Sequence, residues 1–135
     1  MKILESSYNN GHSTIVIQTA SGQFMGQARV HPEDKDVESR IVGWKIAEQR
    51  ALINYYKDKI KKEKNIIKGI YELTYRFDPF DLPIARRAAR DLIYQHNNQI
   101  KSWEISIQES KDIIKEIFEG IEKTKMVIKR KEKSE

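Results

Sequence analysis

Residues 76–90 read RFDPFDLPIARRAAR, and the reading of this stretch decides the fold. Pro79 and Pro83 cannot sit in a helix interior, so a helix arriving from the N-terminal side must stop here. Asp81 is suited to cap a new helix, and Pro83 fits the first turn, where a missing N–H costs nothing. The connector, 76–83, is short, so long helices on either side of it must run antiparallel.

Upstream, Ile41, Trp44, Ala47, Ala51, Tyr55, Ile60, Ile67, Ile70 and Leu73 or Thr74 recur at threes and fours, sometimes with a slip, which predicts a helix over 37–75. Gly43 and Gly69 weaken it by roughly 1 kcal/mol each relative to Ala. Downstream, Ala85, Ala88, Leu92, Ile93, His96, Ile100, Trp103, Ile107, Ile114, Ile117, Ile121 and Ile128 predict a second helix over 83–128, interrupted near Gly120. Residues 129–135, KRKEKSE, have no apolar anchor and read as a flexible tail. Helices of ~40 residues would each span about 60 Å, too long for a compact protomer. Isoleucine also appears on more than one side, as at Ile66-Ile67 and Ile113-Ile114, and one partner helix cannot cover both sides. A coiled-coil-like homo-oligomer, at least a dimer, is the expectation.

Before the helices, Thr14 to Thr19 (TIVIQT) is β-branched and apolar, Ala20-Ser21-Gly22 supplies turn chemistry, and Gln23 to Val30 alternates. Phe24, Gly26, Ala28 and Val30 share one face, and Gln23, Met25, Gln27 and Arg29 the other. This predicts a β-hairpin over about 8–31, with a loop longer than two residues, Gly22 at positive φ and a bulge beside it. HPEDKD, 31–36, is a polar link. The expected fold is therefore α+β: an N-terminal antiparallel β-hairpin or small sheet followed by two long antiparallel helices, in one domain of 135 residues that associates with itself.

The chain carries 25 Lys+Arg against 20 Asp+Glu, a net charge of +5, which suits a small phosphate ligand better than a long polyanion. With no cysteine, thiolate catalysis, disulfides and Cys-based zinc sites are excluded. No apolar run reaches the ~20 residues of a membrane helix and no signal peptide is evident, so a soluble intracellular protein is expected. Three scattered histidines, His12, His31 and His96, and the lack of any HExxH, Walker or GxSxG pattern point away from an enzyme, and no metal or cofactor is expected.

Arg86, Arg87 and Arg90 fall in the first turns of the second helix, where the macrodipole favours acids. Such crowding makes an anion site once a phosphate offsets the repulsion. The alternative is salt bridging to Asp78, Asp81 and Asp91. Phe77 and Phe80 can stack on a base or staple the helix tip closed. Asn97 and Asn98, within the polar run Gln95 to Gln99, can read a purine edge or fix helix register. On the hairpin, Arg29 and His31 offer a second anion site or a solvated edge, and Gly26 serves turn or packing roles.

GQFMGQARV (22–30), HPEDKDVESRIVGWKIAEQRALI (31–53) and YELTYRF (71–77) together resemble the phage-encoded anti-Thoeris sponge family. HPED, SRIVG and AEQRA are the most specific elements. The resemblance covers most of residues 8–105, and the rest of the second helix matches only as a pattern. It implies a protein that binds, without cleaving, a cyclic ADP-ribose isomer made by TIR-domain enzymes of Thoeris defence. It further implies dimers that build hexamers as trimers of dimers, a pocket between chains, and a second site for cyclic oligonucleotide signals of CBASS defence. The setting it implies is the cytoplasm of an infected bacterial host. Gly26 and His31 are placed in the second site through this resemblance, Arg29 joins them from the reading of the hairpin, and Phe77, Phe80, Arg86, Arg90, Asn97 and Asn98 are assigned to the first from the residues themselves. Beyond Trp103 the chain has no arginine before Arg130, so a family cation from that region must be replaced by another. The rival expectations are a basic nucleic-acid-binding module and a coiled-coil adaptor.

Overall fold

The computed structural model describes residues 1–9, 11–29, 37–76 and 83–134, excepting the side chains of 37–39, 75, 76, 124, 125, 128 and 132–134. Three strands, β1 (Lys2–Asn9), β2 (His12–Thr19) and β3 (Gly22–Arg29), form an antiparallel sheet in the order β1-β2-β3. Helix α1 (Val37–Tyr71) runs into a π-helical turn, Glu72–Arg76, and helix α2 spans Pro83–Ser134. The α+β class and the antiparallel hairpin at its start follow the sequence.

Several details differ. The expected hairpin or small sheet is a small sheet, whose third strand, β1, starts well before the residue-8 bound given to the hairpin. Lys2 to Ser7 are exposed on both faces, so the stretch carries no inside/outside alternation to read. Asn9 pairs with His12 across a two-residue link in which Gly11 takes φ 81°. Asn-Gly is the strongest short hairpin signal. The β2–β3 loop is two residues, Ala20 and Ser21, because Thr19 pairs directly with Gly22. Gly22 does take a positive φ, 127°. The irregularity lies instead in β1, between Ile3 and Glu5, where Leu4 is the extra residue. A bulge on an exposed edge strand discourages further pairing. α2 passes Gly120 without a break and continues as helix through residues 129–134, which the sequence analysis read as a tail.

The described chain divides into two compact units, one of residues 1–54 and 108–135, the other of 55–107. In the first, alternation on the strands turns Ser13, Ile15 and Ile17 of β2 and Gly26 and Ala28 of β3 to a buried face. That face receives the N-terminal part of α1, whose Ala47 and Ala51 backbones lie against Gly26. Longer side chains of the same helix reach the outer strands. Arg50 Nη1 donates to the Gln27 carbonyl and Asn54 Nδ2 to that of Met25, both at 2.7 Å, and Trp44 Nε1 donates to Ser7 O at 3.2 Å. The Arg40 guanidinium lies 4.3 Å from the centre of the Tyr8 ring, adding a cation–π contact at the β1 side. The small residues Ala47 and Ala51 let the helix lie close on β3 at Gly26, and the longer side chains tie it to the outer strands.

In the second unit the pairing partners fix direction. Tyr56 stacks on Trp103 at 5.7 Å, and Glu63 bonds His96. Seven residues forward on α1 correspond to seven backward on α2, so the helices are antiparallel. Tyr56, Ile60, Glu63, Ile67 and Ile70 on α1 and Ala89, Ile93, His96, Ile100, Trp103 and Ile107 on α2 alternate fours and threes and are buried or half-buried. That 3.5-residue period is a coiled-coil seam. Ile93 faces inward on α2 as expected, but Ala89 takes the place of Ala88, and Ala88 and Leu92 are exposed. Ile41 and Leu73, expected in the α1 stripe, are 59% and 73% exposed, whereas Thr74, the alternative to Leu73, is half-buried. Part of the surplus isoleucine is thus used within the chain, while Ile66, Leu92 and Ile113 remain outside the seam.

Candidate nucleotide-binding site

α2 starts with Pro83 at its first position and has no acidic residue in its first turn. Ala89 and Ile93 face the seam and fix the rotation of the helix, leaving Arg86, Arg87 and Arg90 exposed. Cationic side chains therefore surround the positive end of the macrodipole, an arrangement that costs stability unless anionic charge is brought in. Arg86 makes a contact within the protein.

Because the helices are antiparallel in this unit, the end of α1 lies at the same end as the start of α2. There α1 passes into the π-helical turn, a form that recurs at functional sites. Large apolar side chains stand out at this end: Leu73 and Ile84 are 73% and 84% exposed, and Ile66 and Leu92 are each 46% exposed. Arginine beside exposed apolar surface is a combination enriched at interfaces and ligand-binding rims.

Helical geometry sorts the expected residues. Arg86, Arg90 and Asn97, spaced by four and seven, form one row along α2, with Arg90 and Asn97 about 10 Å apart along the axis. Asn98 lies about 100° round from that row, on the side of Asp91. Both asparagines are exposed. Of the polar run Gln95 to Gln99, only His96 turns inward, where its Nδ1 meets Glu63 Oε2 across the seam. The register role belongs to His96, and Asn97 and Asn98 are left on the surface. Phe77 and Phe80, the expected stacking residues, and Asp78 and Asp81, the alternative partners of the arginines, lie outside the described residues.

The sheet does not bring Gly26 and Arg29 to one surface. Gly26 is buried beneath α1, whereas Arg29 is exposed on the opposite face with Met25 and Gln27. The cross-strand neighbour of Arg29 is His12, also exposed, a second basic group that the sequence analysis did not join to it. Strand register was the missing signal. His31 lies outside the described residues. Among the described residues, no group of three His, Asp or Glu side chains gathers as a metal site, and no helix is long and apolar enough to cross a membrane.

No protein family, curated protein or solved structure matches the chain.

Proposed function

We propose that this protein is a non-catalytic sponge that captures a cyclic ADP-ribose isomer and so withholds the signal from a Thoeris effector. The observation that carries the reading is the start of α2: three exposed arginines, no acid in the first turn, and exposed apolar side chains at the same end of the unit. A pyrophosphate answers the charge, and an adenine face answers the apolar surface. In this reading Arg86 and Arg90 hold the pyrophosphate, Phe77 and Phe80 stack on adenine, and Asn97 or Asn98 reads its edge. The family resemblance supplies the ligand class.

A second copy closes the site, giving dimers that assemble into hexamers in the cytoplasm of the infected host. Arg29 and His31 serve cyclic oligonucleotide signals at a second site, from which Gly26, buried beneath α1, is left out. Titration calorimetry with glycocyclic ADP-ribose tests the proposal: micromolar or tighter binding supports it, and no heat at micromolar protein rejects it. The bound nucleotide must also return intact after denaturation, since a hydrolysed product would place the protein among enzymes. A gel shift with long RNA or DNA at two salt concentrations separates the nucleic-acid alternative, which requires affinity falling steeply with salt.

A further inference from the structure

Glu63 and His96 meet across the seam, and the residues that follow them, Lys64 and Asn97, turn to one side of it. Each residue advances a right-handed helix by about 100°, and because these helices are antiparallel, the step after a seam residue leads to the same side on both. One turn further along α1 on that side stands Lys68, and one turn back along α2 stands Tyr94. They fall about 4–6 Å along the axes from Lys64 and Asn97, within the ~10 Å interval between Asn97 and Arg90. Lys64 and Lys68 are exposed, and Tyr94 is 67% exposed.

The two sides of α1 use their lysines differently. On the other side of the seam Lys62 pairs with Asp58 at 3.0 Å, and Lys59 lies over the Tyr55 ring. On the first side Lys57, Lys61, Lys64 and Lys68 follow one another at fours and threes, and among the described residues none of them has an ion-pair partner. Residues 55–107 hold eleven Lys and Arg against seven Asp and Glu, so four of the five net charges of the chain lie in this unit. We infer that the nucleotide site extends across the seam onto α1 of the same protomer: Lys64 and Lys68 hold the pyrophosphate from the side opposite Arg90, and Tyr94 stacks on the face of the base that Phe77 and Phe80 leave open. An anion answers the unpaired lysines, and a base face answers the exposed ring between them and Arg90. This rests on the nucleotide reading of the start of α2, which gave α1 no part in binding.

Calorimetric titration of the full-length protein with glycocyclic ADP-ribose and, separately, with inorganic pyrophosphate tests the assignment. Lys64→Gln and Lys68→Gln are each expected to weaken both probes about fivefold to tenfold. Tyr94→Ala is expected to weaken the cyclic nucleotide about tenfold and to leave pyrophosphate within about twofold. Lys62→Gln, on the other side of α1, should leave both probes within about twofold. A thermal melt of each variant shows that it is folded, and Lys64→Arg and Lys68→Arg, which keep the charge, should retain binding. Cyclic nucleotide bound with unchanged affinity by folded Lys64→Gln and Lys68→Gln, or by folded Tyr94→Ala, overturns the inference and leaves the sponge reading standing. Pyrophosphate bound through Lys64 and Lys68, with no heat from the cyclic nucleotide, keeps the anion site on α1 and rejects the sponge reading. Heat from neither probe, or binding of long RNA alone, overturns both.

Discussion

A methyl group placed on Gly26 would sit 1.9 Å from the carbonyl oxygen of Ala47 and 2.4 Å from the backbone nitrogen of Ala51. Both neighbours are backbone, so neither can rotate away, and the helix would have to lift off the sheet. Lifting it would also stretch the 2.7 Å bonds from Arg50 and Asn54 to β3. Gly26→Ala should destabilise the protein by about 3 kcal/mol, at the upper end for overpacking. Urea denaturation followed by circular dichroism checks this, and a loss below about 1 kcal/mol would mean that the helix does not bear on β3 at this point.

Gly69 is the opposite case. It lies inside α1, and a Cβ there would meet nothing within 4 Å. Gly69→Ala should stabilise by about 0.5–1 kcal/mol through helix propensity and a less disordered unfolded chain. The same denaturation curve, run beside that of Gly26→Ala, tests whether glycine in this chain is costly except where backbone must approach backbone.

The contrast shows where the sequence is readable. The connector at 76–83 and the threes and fours on either side announced two antiparallel helices, since proline and periodicity act locally. β1 was missed because Lys2 to Ser7 bury neither face, so its pairing with β2, which closes at Asn9 and His12, leaves no hydrophobic alternation to read. On α1 the Ala47 and Ala51 face belongs to the sheet, whereas Tyr56, Ile60 and Ile67 belong to the seam. A single stripe drawn along the helix blends the two. The row Arg86, Arg90, Asn97 follows from helical spacing alone. That Gly26 lies under a helix follows only from the helix's position in three dimensions.

Ser13 is completely buried on β2, and among the described residues its Oγ has no hydrogen-bond partner. An unpaired hydroxyl in such a place costs about 1–3 kcal/mol, and Ala fills nearly the same space. Ser13→Ala should therefore raise the stability by about 1 kcal/mol. A fall in the melting temperature would show instead that the hydroxyl is satisfied, by a buried water for example.

Glu63 and His96 form the polar layer in the middle of an otherwise apolar seam, flanked by Ile60, Ile67, Ile93 and Ile100. Replacing either one with Leu leaves the other without its partner, and a loss of about 2 kcal/mol is expected for each. Replacing both should be nearly neutral, because hydrophobic side chains can fill the layer. The double-mutant cycle would then give a coupling of at least about 1 kcal/mol. Additive losses would mean that the two side chains do not interact in solution.

Arg90 offers a separation of binding from folding. It is exposed, and among the described residues it has no ion-pair partner, so Arg90→Ala should change stability by no more than about 0.5 kcal/mol. Its placement near the positive end of α2 contributes nothing favourable to the helix, so its removal separates an effect on binding from one on folding. A charge-assisted hydrogen bond to a pyrophosphate is worth about 1.5–3 kcal/mol, which corresponds to a loss of roughly tenfold to a hundredfold in affinity for the cyclic nucleotide. Calorimetric titration of the variant, with its thermal melt recorded alongside, measures both quantities. Unchanged affinity in a folded variant would remove Arg90 from the site and shift the phosphate toward Arg86 and Arg87, whereas unchanged stability with weakened binding would place the anion over the start of α2.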